Sequence, residues 1–118
     1  MKSQKYSNEK RLKAEMRVYY GTSHELMLTG YSVDLSSRGL YIKTKVPLDI
    51  AATLILTFSL PGQPDEQNVS CKGRVAWVND EKNPSKPELP PGMGIEFTDL
   101  SSENLSSIST FLEIEAKW

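Results

Sequence analysis

From Ala14 to Phe97 the apolar residues of this chain recur at every second position, in six short runs parted by turn signals. A period of two is the mark of a strand with one face buried. Ala14, Met16, Val18 and Tyr20 share one face of the first run, with Glu15, Arg17 and Tyr19 on the other. Further runs cover residues 26–33, 40–45 and 53–60. A long fifth run sets Val69, Cys71, Gly73, Val75 and Trp77 on one side, and residues 92–97 form the last. After Ser101 the period changes. Leu105, Ile108, Phe111 and Leu112 recur at helical spacing behind Ser101 or Ser102 as N-cap, which predicts an amphipathic helix over residues 102–115. Six strands and one late helix predict an all-β fold, a six-stranded antiparallel barrel with a C-terminal helix.

The connections agree with that division. Gly21-Thr22-Ser23-His24, Pro47-Leu48-Asp49 and Pro61-Gly62-Gln63-Pro64-Asp65 read as turns. Residues 79–91 hold four of the seven prolines and form a loop long enough to be mobile or functional. At 118 residues the chain is one domain, burying roughly two-thirds of its unfolded surface. Residues 1–10 are polar and are expected to form a flexible arm ahead of a domain over residues 11–118.

Charge and composition exclude several functions. The formal net charge is −1, so no global field draws the chain to DNA or to an anionic membrane. Cys71 is the sole cysteine, which rules out an internal disulfide and fits a reducing compartment. The first six residues lack the apolar run of a signal peptide, and no stretch is apolar for long enough to span a bilayer. A cytoplasmic protein is expected.

Catalysis finds little support. The one histidine, His24, falls in a turn, and Cys71 lies in the apolar phase of a strand, where a thiol is inert. Asp65, Glu66, Asp80 and Glu81 lie in polar turns, no residues have metal-ligand spacing, and no glycine-rich loop opens a helix. Neither a catalytic residue nor a metal or other cofactor is expected.

Binding is better supported. Asp34-Leu35-Ser36-Ser37-Arg38-Gly39 places a carboxylate, a hydroxyl, a guanidinium and a glycine where two strands connect. The aspartate can accept N–H donors from a planar edge such as guanine, and the serine can donate to a phosphate or a ring acceptor. Gly39 permits a positive φ or the close approach of a ligand. Asp-x-Ser also forms ordinary Asx-type turns, so the residues alone leave a ligand site and a plain turn both open. Arg11, beside Lys10 and Lys13, is either solvated or clamps an anion with its planar fork.

Three stretches together resemble the PilZ domain family over about residues 10–113. Residues 33–42 match its Asp/Asn-x-Ser-x-x-Gly signature and following strand, residues 73–78 resemble its long central strand, and residues 91–101 its last strand and helix entry. The resemblance implies a non-catalytic receptor for cyclic di-GMP, a bacterial second messenger, that signals to a downstream protein in motility, surface or biofilm control. It implies that Asp34 and Ser36 contact guanine, that Gly39 shapes the turn, and that Arg11 grips the ligand, with Lys10 and Arg38 as further contacts. The family's N-terminal Arg-x-x-x-Arg pair is incomplete here, because the companion of Arg11 falls on Ser7 or on Glu15. A bidentate arginine contact to a base is worth ~1–3 kcal/mol, so one missing arginine weakens binding roughly ten- to a hundredfold. The alternative implied by that gap is a PilZ module that no longer binds nucleotide and works through protein contacts.

Overall fold

The computed structural model describes residues 11–62 and 68–116. It contains β1 (Leu12–Lys13), β2 (Arg17–Gly21), β3 (Met27–Leu35), β4 (Gly39–Lys43), β5 (Thr53–Ser59), β6 (Asn68–Asn79), β7 (Gly92–Phe97) and α1 (Ser102–Ala116). All pairings are antiparallel. The strand order is β1-β3-β2-β5-β6-β7-β4, and β4 pairs back onto β3. Six strands therefore close into a barrel, with β1 as an outer strand on β3. Closure removes the sheet edges that a small antiparallel sheet otherwise exposes.

The predicted alternation fills the interior. Val18, Tyr20, Leu54, Leu56, Phe58, Val69, Cys71 and Val75 are buried in one cluster with Ile42, Met93 and Ile95. Ile108, Phe111 and Leu112 of α1 join it. Ser101 is the N-cap: its Oγ accepts the Asn104 N–H at 3.0 Å. Leu105, expected on the buried stripe, is 42% exposed. The first turn is held instead by a polar contact, from Asn104 Nδ2 to the Ser70 carbonyl at 3.4 Å.

The first strand, expected from Ala14, begins at Arg17 as β2, and an unexpected short strand, β1, precedes it across residues 14–16. The side-chain phase survives the break, since Met16, Val18 and Tyr20 are all buried. Two backbone bonds bridge the gap, from the Ala14 N–H to the Val33 carbonyl at 3.1 Å and from the Ser32 N–H to the Met16 carbonyl at 2.9 Å, and a side chain adds to them. Buried Ser32 accepts the Met16 N–H on its Oγ at 2.9 Å and donates to the Ala14 carbonyl. Residues 1–10, expected as an arm, lie outside the described residues.

Two bulges decide which side chains leave the barrel face. In β3, Ser32 pairs with Ile42 of β4 and Asp34 with Tyr41, so Val33 has no β4 partner. Strict alternation from buried Ser32 sends Asp34 inward and Leu35 outward. The bulge reverses both, burying Leu35 completely and aiming Asp34 out. The same happens in β6 between Val75 and Trp77. Trp77, expected on the face of Val69 and Val75, turns outward, and Val78 packs on the core in its place.

Candidate functional site

Both redirected side chains enter the same groove, of about 400 Å³, which runs over the outside of β4, β7 and β6. A volume of that order lies in the range of small-ligand sites. Arg11, Asp34, Arg38 and Gly39 line one end, and Trp77 and Lys86 the other.

At the first end Arg11 Nη1 lies 2.7 Å from Asp34 Oδ1. The carboxylate is 16% exposed and the guanidinium 45%, so the acid is set into the wall and the base leans over it. The segment ahead of β1 is thereby tied to the end of β3, next to the pairing of Lys13 with Asp34. Arg38 follows on the turn and also faces the groove. Lys10 lies outside the described residues.

Ser36 takes a different place from the one its motif implies. It is fully buried, and its Oγ accepts the N–H of Arg38 at 3.1 Å and of Gly39 at 3.3 Å. Its own N–H donates to the Gly39 carbonyl at 2.9 Å. The hydroxyl thus shapes the turn that presents Arg38, and Ser36 does not line the groove. Gly39 is needed for closeness rather than for φ, since Gly62 is the one described glycine in the left-handed region. A Cβ on Gly39 would stand 1.9 Å from the Ile95 carbonyl oxygen of β7.

The other end is built from aromatic rings and a fastened loop. Trp77 stacks on Tyr41 with ring centroids 5.2 Å apart and planes at 25°. It lies across Gly94, where a Cβ would meet the indole nitrogen at 2.0 Å. The loop after β6, read from sequence as mobile or functional, is pinned by buried Asn79. Its Nδ2 donates to the Lys86 carbonyl and its Oδ1 accepts the Lys86 N–H, both at 2.9 Å. That clamp sets Lys86 Nζ 5.2 Å from the Trp77 ring centroid. The Tyr41 hydroxyl donates to the Pro90 carbonyl at 2.6 Å, and burial raises its pKa. Between the ends, Arg74 Nη2 lies 2.8 Å from Glu96 Oε1 on the floor.

Tyr41, Arg74, Trp77 and Lys86 were missed as site residues. Arg74 was within reach of pattern reasoning, because it lies out of phase with Cys71, Gly73 and Val75. Trp77 was not, since a bulge leaves no trace in alternation. His24 is exposed on the β2–β3 turn and does not line the groove. Burial first, and Asp99 second, push the Cys71 thiol up to about 12. Among the described residues no group of three His, Cys, Asp or Glu side chains is arranged to hold a metal. Nor is any described helix long and apolar enough to cross a membrane.

The family model of the PilZ domain matches residues 6–113. The chain belongs to the PilZ domain family. PilZ domains are in general non-catalytic effector domains that bind cyclic di-GMP. Three solved structures share the PilZ fold with this chain. The Bacillus subtilis inhibitor of motility MotI/DgrA aligns at TM-score 0.76 and 12% identity, covering 93% of this chain and 51% of that one. This PilZ domain thus spans about half of the Bacillus protein. The PilZ domain of CeSA from a cellulose-synthesizing bacterium aligns at 0.60 and 14%, covering 91% and 98%. The PilZ domain of YcgR from Escherichia coli, solved with c-di-GMP, aligns at 0.63 and 16%, covering 93% of each chain. No curated protein matches the sequence.

Proposed function

We propose that this PilZ domain is a cyclic di-GMP receptor whose ligand occupies the groove between Arg11 and Trp77. The observation that carries this is the Arg11–Asp34 pair at 2.7 Å on the lip of the groove. It brings the two halves of a nucleotide clamp together before any ligand arrives. Asp34 accepts the N–H donors of a guanine edge, and the released Arg11 turns its fork to phosphate or to the guanine face. With its guanidinium 45% exposed the pair is largely screened and worth about 1 kcal/mol, so this exchange of partners costs little. Arg38, held out by the Ser36 turn, adds a second guanidinium on the same side.

Signalling follows from the same exchange. Residues 1–10 act as an arm that closes on the ligand, and residues 11–118 form the domain it closes against. Ordering such a segment changes what the protein presents to a downstream protein partner in the bacterial cytoplasm, without DNA binding or membrane insertion. Titration followed by NMR tests the location. The amides of Arg11, Asp34, Arg38 to Tyr41 and Gly94 to Glu96 are expected to shift together as cyclic di-GMP is added. Shifts confined to β2 and β5 would place the ligand elsewhere.

A second function is favoured by one residue. Glu15, four positions after Arg11, is exposed and acidic where an arginine completes the pair. In that case the fold is kept for protein contacts and nucleotide binding is lost.

A further inference from the structure

The face of the barrel made by β2, β3 and β5 carries a second cluster that the nucleotide groove does not use. The residues lining the two depressions have no member in common. Arg17 of β2 pairs in register with Tyr31 of β3, and Tyr19 pairs with Thr57 of β5. Tyr19 is 42% exposed and Tyr31 39%, both large rings standing on open sheet. The Arg17 guanidinium carbon lies 6.0 Å from the Tyr31 ring centroid. Polar contact with Tyr19, and next with Tyr31, raises its pKa above the ordinary arginine value. Among the described residues ion pairs join Arg11 to Asp34 and Arg74 to Glu96, and none involves Arg17. The floor beside it is neutral and hydrogen-bonded to itself: Thr57 Oγ1 lies 3.1 Å from Ser70 Oγ, and the Ser59 hydroxyl donates to Asn68 Oδ1.

We propose that this face docks an acidic segment of a partner protein, with a carboxylate seated on Arg17 between Tyr19 and Tyr31. Two arguments select that occupant. Among the described residues Arg17 is the one charged side chain lining the depression, set among neutral rings and hydroxyls, with Lys43 in register opposite Tyr31 and exposed Glu15 two positions before Arg17. A single guanidinium at that place is complementary to one carboxylate, whereas phosphorylated segments are met by arginine clusters. Tyrosine and arginine are the residue types that dominate protein interfaces, and here the Tyr31 ring lies 6.0 Å from the guanidinium carbon before docking. The proposal stands independently of nucleotide binding, and both surfaces can be occupied at once.

Random dodecapeptides displayed on phage are selected against the full chain, and the peptide most enriched is synthesised and titrated. The expected peptides are rich in Asp and Glu beside apolar residues. Arg17→Ala, and equally a glutamine replacement of the peptide's acid, then weakens binding by about tenfold or more. Arg17→Lys keeps charge without the planar fork and falls between, which preserves the test if Arg17→Ala folds poorly. Cyclic di-GMP titration is unchanged in either variant. Peptides without acidic enrichment, or bound equally well by the Arg17→Ala chain, overturn the proposal. So does a phosphoserine peptide that binds more tightly than its glutamate version. Self-association that Arg17→Ala abolishes would assign the face to a second copy of the chain and overturn it too.

Discussion

Asp34 reaches the groove because Val33 has no partner on β4. Two residues later Ser36 spends its hydroxyl on the turn, so Asp34 and Ser36 divide the motif into a part that meets solvent and a part that holds shape. Ser36→Ala leaves the N–H groups of Arg38 and Gly39 short of their acceptor in a buried turn. The expected cost is ~1–3 kcal/mol, read as a lower urea midpoint with an unchanged slope. Cys71 gives a prediction of a different kind. Its thiol is raised from 9.0 to about 12 in the folded chain, mainly by burial. At neutral pH and below the thiol is protonated folded or unfolded and contributes no pH dependence. From the ordinary thiol range up to about 12, the unfolded chain loses a proton that the folded chain keeps. Stability therefore falls as pH rises through that window, and Cys71→Ser removes this component of the slope in urea titrations.

At the scale of elements, the weakest joint is the one between β1 and β2. β1 pairs with β3 through Leu12 and Lys13 alone, and Ser32 holds the intervening backbone. Ser32→Ala leaves the Met16 N–H without that acceptor and loosens the joint, which the Ala14 N–H to Val33 carbonyl and Ser32 N–H to Met16 carbonyl bonds still hold. The expected result is faster hydrogen exchange at Met16 and its neighbours, with β5 and β6 unchanged, and weaker nucleotide binding because Arg11 loses its anchor. This joint also marks how far the sequence could be read. Alternation located every barrel strand and the change of period located α1, because burial of one face imposes those repeats. It could not show a bulge, which adds a residue to the backbone without changing the side-chain pattern before it. Asp34 was found as a motif residue, yet its outward aim and that of Trp77 depend on such insertions. Asn79 and Lys86 were illegible for another reason: what makes them part of the site is a loop fold set by hydrogen bonds across ten residues of irregular chain.

For the whole molecule, the open quantity is how firmly the clamp holds. A net charge of −1 supplies no long-range attraction for a dianionic ligand, so affinity has to come from the few cations at the groove. Ser7→Arg and Glu15→Arg each complete one register of the arginine pair. If the arm serves nucleotide binding, one of them tightens it by roughly ten- to a hundredfold in a competition assay. No gain from either favours the protein-contact function. Cyclic di-GMP binding in the groove is tested by calorimetric titration of the wild-type chain and of Asp34→Ala. Saturable binding to the wild type is expected. Asp34→Ala is predicted to melt close to the wild type and to bind roughly tenfold or more weakly. A folded wild-type chain that gives no binding heat with ligand in large excess, or an Asp34→Ala variant that binds as well as wild type, would contradict binding in the groove.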